Sequence, residues 1–160
     1  PEHSVAAASP HWPGLVVLRS VGKFFGLAGL RLGFVLGHPQ LLAALDCALG
    51  PWTVSAAAQQ IGRLALADPH WPAQARQRLH HASAQLAALL TRHGLAESGT
   101  ALFRSVWPDA GALPAAQLHQ RLAEQRIWTR LLDGERPGVR FGLPADAVGW
   151  ARLEQGLQLG

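Results

Sequence analysis

Two short apolar runs, residues 15–19 (Leu-Val-Val-Leu-Arg) and 32–36 (Leu-Gly-Phe-Val-Leu), bracket a loop that carries Gly22, Gly26 and Gly29. Pro13-Gly14 opens the first run and Gly37 closes the second. Short β-branched and leucine runs between such breakers predict strands, apolar on both faces as in a helix-covered α/β sheet. The glycines let the loop backbone approach a ligand closely. The same loop holds Lys23, the only lysine in a chain whose Lys+Arg total is 14. An amine that loses its proton when desolvated is a nucleophile, whereas a guanidinium stays charged at any working pH. Base composition favouring arginine, with one lysine left by chance, accounts for the count equally well.

After the second run the pattern turns helical. His38-Pro39 opens a helix through Leu41, Leu42, Leu45 and Leu49, which Gly50-Pro51 ends. Ser55 is placed to cap a helix over residues 55–67. Residues 73–93 form a longer helix, with Leu79, Ala82, Leu86 and Leu90 on one stripe and Gly94 as its terminator. Pro-His-Trp-Pro occurs twice, at residues 10–13 and 69–72, and both copies read as turn chemistry because nothing around them repeats. Strand 101–106, helix 113–125, strands 127–132 and 139–143 and a closing helix 146–157 complete the chain. The order predicts an α/β class: the end of a mostly parallel sheet domain with a connecting helix over residues 1–71, then a smaller α+β domain over 72–160.

Composition excludes several classes. The charge of +4 comes from arginines dispersed along the chain, not gathered on one face with interleaved aromatics, so no nucleic-acid partner is expected. No apolar run approaches membrane-span length, and no membrane partner is expected. Cys47 is the lone cysteine, in an Ala/Leu-rich segment, and reads as a small core residue in a reducing, cytoplasmic setting. His80 and His81 point in different directions from their helix, and His3, His11, His38, His70, His93 and His119 are scattered, so no metal site is expected. Trp107 and Trp150 read as core anchors. A chain of 160 residues with no Met, beginning Pro1-Glu2-His3, reads as a piece of something longer.

Ser20 precedes Lys23 by three residues and Arg31 follows it by eight. That trio suits a phosphorylated aldehyde cofactor: the amine condenses with the aldehyde, while hydroxyl and guanidinium hold the phosphate. The same residue types at this spacing also make an ordinary surface turn. The run Arg19-Ser20-Val21-Gly22-Lys23-Phe24-Phe25-Gly26-Leu27-Ala28-Gly29-Leu30-Arg31-Leu32-Gly33-Phe34 resembles the lysine segment of fold-type I pyridoxal-phosphate enzymes in the class I/II aminotransferase superfamily. Within it, this run and three later stretches look most like the threonine-phosphate decarboxylase branch of cobalamin biosynthesis. Those stretches are Gly50-Pro51-Trp52-Thr53-Val54-Ser55, Ile127-Trp128-Thr129-Arg130 and Val139-Arg140-Phe141-Gly142-Leu143-Pro144.

The resemblance implies pyridoxal 5'-phosphate as cofactor, with Lys23 joined to its aldehyde carbon and Ser20 and Arg31 on its phosphate. It implies a phosphorylated amino acid as substrate, a homodimer, and a lyase that releases CO2. The histidinol-phosphate type of aminotransferase shares the lysine motif and is the alternative enzyme; a non-catalytic dimerisation piece is the alternative of another class. The family's glycine turn, ring-stacking aromatic and the Asn and Asp that hold the ring have no counterpart in this chain, so incompetence of the chain alone is expected.

The last two predicted strands are joined by Asp133-Gly134-Glu135-Arg136-Pro137-Gly138, consistent with a hairpin. A symmetric loop sets Arg130 opposite Arg140. Like charges facing across strands destabilise unless an anion sits between them or one turns to a carboxylate. Two solvated edge arginines are the plain reading. In the superfamily the arginine matching Arg140 holds the substrate carboxylate, and the position of Arg130 then suits a second anionic group.

Overall fold

The structure, a computed structural model, describes residues 4–109 and 113–158, so His3 lies outside the described residues. The chain divides into two compact units, Pro1–Pro69 and His70–Gly160. Pro72 belongs to the first turn of a helix, where its fixed φ is already helical and its missing N–H costs nothing.

In the first unit, β1 (Val17–Ser20) pairs with β2 (Gly33–Leu36), with Val17 opposite Leu36 and Ser20 opposite Gly33. The pair is antiparallel, as are all the strand pairings among the described residues. The twelve-residue connection holds only a three-residue 3-10 turn, Ala28–Leu30, and lacks the crossover helix that a parallel pair needs. The parallel part of the expected sheet is thus not among these pairs.

Helix α1 (Pro39–Leu49) starts as read, with His38 Nδ1 accepting the N–H of Gln40 at 3.4 Å. Helix α2 (Ala56–Ala67) is capped by Ser55, whose Oγ accepts the N–H of Ala58 at 3.2 Å. The buried core here is small: Val21, Leu32 and Ala58, flanked by Phe25, Leu27, Leu30 and Val54. Gly62 of α2 lets the helix close on Leu32, because a Cβ there would collide with the leucine side chain.

Two expectations change in this unit. β1 and β2 are not buried on both faces: Leu18 is 74% exposed, since a sheet of two short strands offers little area for a covering layer. Cys47 is exposed, not part of a core, because α1 buries none of its residues.

The second unit begins with α3 (Trp71–Arg92) and contains β3 (Glu97–Gly99), β4 (Phe103–Val106), α4 (Ala115–Glu124), β5 (Arg130–Leu132), β6 (Gly138–Gly142) and α5 (Ala147–Leu157). The sheet runs in the order β3-β4-β6-β5. One face supplies Val106, Val139 and Phe141 to a core shared with Leu86, Leu89 and Leu90 of α3, Leu118 and Leu122 of α4, and Leu153 and Leu157 of α5. Trp150 packs against that core, and Trp107 is half-buried.

Both α3 and α4 end in a Schellman motif. Gly94, at φ 71°, follows α3 while Leu95 N–H reaches back to Leu90 O at 3.0 Å. After α4 the left-handed position is taken by Arg126, at φ 61°, and Ile127 N–H reaches Leu122 O at 2.8 Å. Inside the unit, Ser83 of α3 donates to Thr100 O at 3.0 Å and accepts from Arg104 Nε at 2.9 Å; Arg104 also donates to Glu97 at 3.2 Å. No helix among the described residues is long and apolar enough to cross a membrane.

Candidate functional site

The loop between β1 and β2 encloses a cleft of about 240 Å³ lined by Ser20, Gly22, Lys23, Leu27, Ala28, Arg31, Leu32 and Gly33. Its shape follows from a few local bonds. Ser20 Oγ accepts the N–H of Gly22 at 2.9 Å, which turns the chain as it leaves β1. Gly22 eases the close approach there: a Cβ would stand 3.2 Å from Ser20 Oγ and 3.4 Å from Ala28 Cα, a tight fit. Lys23 O accepts from Gly26 N–H at 3.0 Å, a tight turn that Gly26 completes at φ 69°. Val21, 2% exposed, anchors the loop in the small core, and its carbonyl accepts from Leu27 N–H at 3.0 Å.

Arg31 is held in the left-handed region at φ 51°, an uncommon state for a side-chain-bearing residue, with its backbone N–H on Ala28 O at 3.3 Å. Ser20, Lys23 and Arg31, named from the sequence alone, therefore line one cleft. All three are exposed, no carboxylate lines the cleft, and none of the ion pairs among the described residues takes Lys23 or Arg31. An amine, a hydroxyl and a guanidinium with no competing acid form a donor set for an anion that also carries a carbonyl carbon. A phosphorylated aldehyde fits that chemistry.

The second unit holds the two arginines of the sequence reading. Arg130 of β5 is paired directly with Arg140 of β6, in a register that sets Leu132 opposite Gly138 at the hairpin end. On its other side Arg140 is paired with Ser105 of β4. Pleating puts Arg130, Arg140, Ser105 and Phe103 on the face of the sheet opposite Val106, Val139 and Phe141. Neither arginine takes part in the ion pairs of the described residues. Arg140 turns to an aromatic instead: its Cζ lies 4.5 Å from the centroid of the Phe103 ring.

Sequence reasoning missed that contact, since it depends on the β4–β6 register. It also missed the bond between His119 Nδ1 and the buried Thr129 Oγ1 at 2.7 Å, beside which Trp128 meets the imidazole edge-on at 5.3 Å. No group of three His, Cys, Asp or Glu among the described residues is arranged to hold a metal ion.

The chain is 48% identical over 159 residues to a threonine-phosphate decarboxylase of Pseudomonas aeruginosa, an alignment covering 98% of this chain and 46% of that protein. It is 42% identical over 158 residues to a threonine-phosphate decarboxylase of Sinorhizobium sp, again 98% of this chain and 46% of the relative. The chain thus spans a little under half the length of these relatives. Among solved structures, the histidinol-phosphate aminotransferase from Sinorhizobium meliloti in complex with pyridoxal-5'-phosphate shares the fold: TM-score 0.85, 22% identity, 95% of this chain and 42% of that one. The family model for aminotransferase class I and II matches residues 2–153, nearly the whole chain, so the protein with the Ser20–Lys23–Arg31 cleft belongs to the class I and II aminotransferase family.

Proposed function

We propose that the chain is the lysine-bearing part of a pyridoxal 5'-phosphate-dependent carbon–carbon lyase. Its substrate is L-threonine O-3-phosphate, its product (R)-1-aminopropan-2-yl phosphate, and its place cobalamin biosynthesis. The observation that carries the reading is the single cleft lined by Ser20, Lys23 and Arg31 in a chain 48% identical to a threonine-phosphate decarboxylase. Activity is assigned to the protein at the length of its relatives. On this reading residues 1–71 end the large cofactor-binding domain and 72–160 form the small domain. We assign the protein to the cytoplasm as a homodimer; the exposed Leu18, Trp52 and Leu64 supply apolar surface for association.

The residues then take definite roles. Ser20 hydroxyl and Arg31 guanidinium hold the phosphate, the latter through charge-assisted bonds. Lys23 Nζ would hold the cofactor through its aldehyde, and the substrate amine would compete for the same carbon. When bound, the cofactor ring is an electron sink for the pair left by the breaking bond. Arg140 holds the substrate carboxylate and Arg130 its phosphate. Arg140 would fix the direction of the substrate carboxylate, and departure of that group as CO2 is the chemistry the bound cofactor would assist. The Lys23 ammonium would be the acid that gives a proton to the substrate α-carbon. Loss of the α-proton in place of CO2 would be the transamination outcome.

Product analysis of the full-length protein with pyridoxal 5'-phosphate and L-threonine O-3-phosphate tests this. CO2 with 1-aminopropan-2-yl phosphate is expected. A keto acid with pyridoxamine phosphate makes it an aminotransferase of the histidinol-phosphate type, and neither product with no cofactor uptake makes it a structural module.

A further inference from the structure

Phe103 lies two residues before Ser105 on β4, on the face that carries Arg140, and its own cross-strand partner is Gly142. Gly142 places no side chain beside the ring, and the space where its Cβ would stand is open. The ring is therefore unobstructed on that side and meets its diagonal neighbour Arg140, 4.5 Å from centroid to Cζ. Two consequences follow. The negative ring face attracts the cationic plane. The guanidinium also leans toward β4, away from Arg130 on β5, which relieves the like-charge opposition built into the register. A guanidinium resting against a ring offers its N–H groups along a restricted set of directions, and it does so without spending them on a carboxylate of its own protein.

We infer that Phe103 is a positioning residue, fixing the direction in which Arg140 presents its N–H groups to the carboxylate of a substrate. The inference rests on the role of Arg140 proposed above and deepens it, since carboxylate angle decides between loss of CO2 and loss of a proton. The test uses the full-length protein and equilibrium binding of 3-(phosphonooxy)butanoate, which keeps the carboxylate and phosphate of threonine phosphate and lacks its amine. Isopropyl phosphate, without the carboxylate, is the control.

Phe103→Leu should weaken the first compound about 2- to 5-fold, the size of an exposed cation–π contact, and leave the control unchanged. Phe103→Tyr should restore binding. In turnover, Phe103→Leu should raise the share of keto acid relative to CO2, a change that mere loss of folded protein does not produce. Fluorinated phenylalanines at position 103, which drain the ring face with little change of shape, should lower affinity stepwise and cover the case in which Phe103→Leu folds poorly. A flat fluorine series, with Arg140→Ala losing the compound, would overturn the inference while leaving Arg140 in its role. Unchanged binding in Arg140→Ala would overturn the role of Arg140 and the inference with it.

Discussion

Replacing Arg31 by glycine sets the backbone and the side chain at this position against each other. Arg31 sits at φ 51°, ψ 37°, where a side-chain-bearing residue costs about 1–2 kcal/mol and glycine none. Glycine gives back about 0.5–1 kcal/mol through its greater freedom in the unfolded chain, so the fold should be unchanged or slightly more stable. The guanidinium makes the opposite contribution. A hydrogen bond to a charged group is worth about 1.5–3 kcal/mol, or about 10- to 150-fold in affinity. Arg31 is exposed, so solvent screening puts the expected loss near the lower end, about 10-fold. The assay is equilibrium binding of pyridoxal 5'-phosphate and of unphosphorylated pyridoxal to the full-length variant, alongside urea unfolding. Affinity for the phosphorylated compound should fall about 10-fold, that for pyridoxal should hold, and the unfolding midpoint should stay or rise. An unchanged ratio of the two affinities would refute the phosphate role. Equal losses for both would show that the strained backbone, not the guanidinium, shapes the cleft.

Three further outcomes are expected. Arg126→Gly should stabilise the chain by about 1 kcal/mol in urea unfolding, because glycine fits the left-handed position that closes α4 as Gly94 closes α3. Ser83→Ala should cost about 2–4 kcal/mol in the same assay, since the hydroxyl, in a residue 1% exposed, serves both Thr100 O and Arg104 Nε. Arg92→Ala should cost under about 1 kcal/mol, because its pair with Glu154 is 62% and 51% exposed.

What the sequence made legible was local. The Ser55 cap, the Gly94 terminator and the Lys23 turn each depend on residues a few positions apart, and each stands where the pattern puts it. The Arg130–Arg140 pairing was legible for the same reason: a hairpin fixes its own register. β3 was missed because Glu-Ser-Gly has little strand propensity and forms only by pairing with β4. The shortened β5 reflects the close of α4, where Ile127 N–H is taken by Leu122 O instead of by a strand partner. Phe103 against Arg140 needs two strands more than thirty residues apart in sequence to find one register, and no local pattern encodes that. Exposure of Cys47 and of Leu18 escaped the reading because apolar composition says what could be buried, not what lies over it.

The central claim is that Lys23 carries the cofactor. Full-length protein equilibrated with pyridoxal 5'-phosphate, reduced with borohydride and digested should yield one labelled peptide, with the added mass on Lys23 in the segment Ser20 to Arg31. A label on any other lysine, or no label at saturating cofactor, would contradict the account.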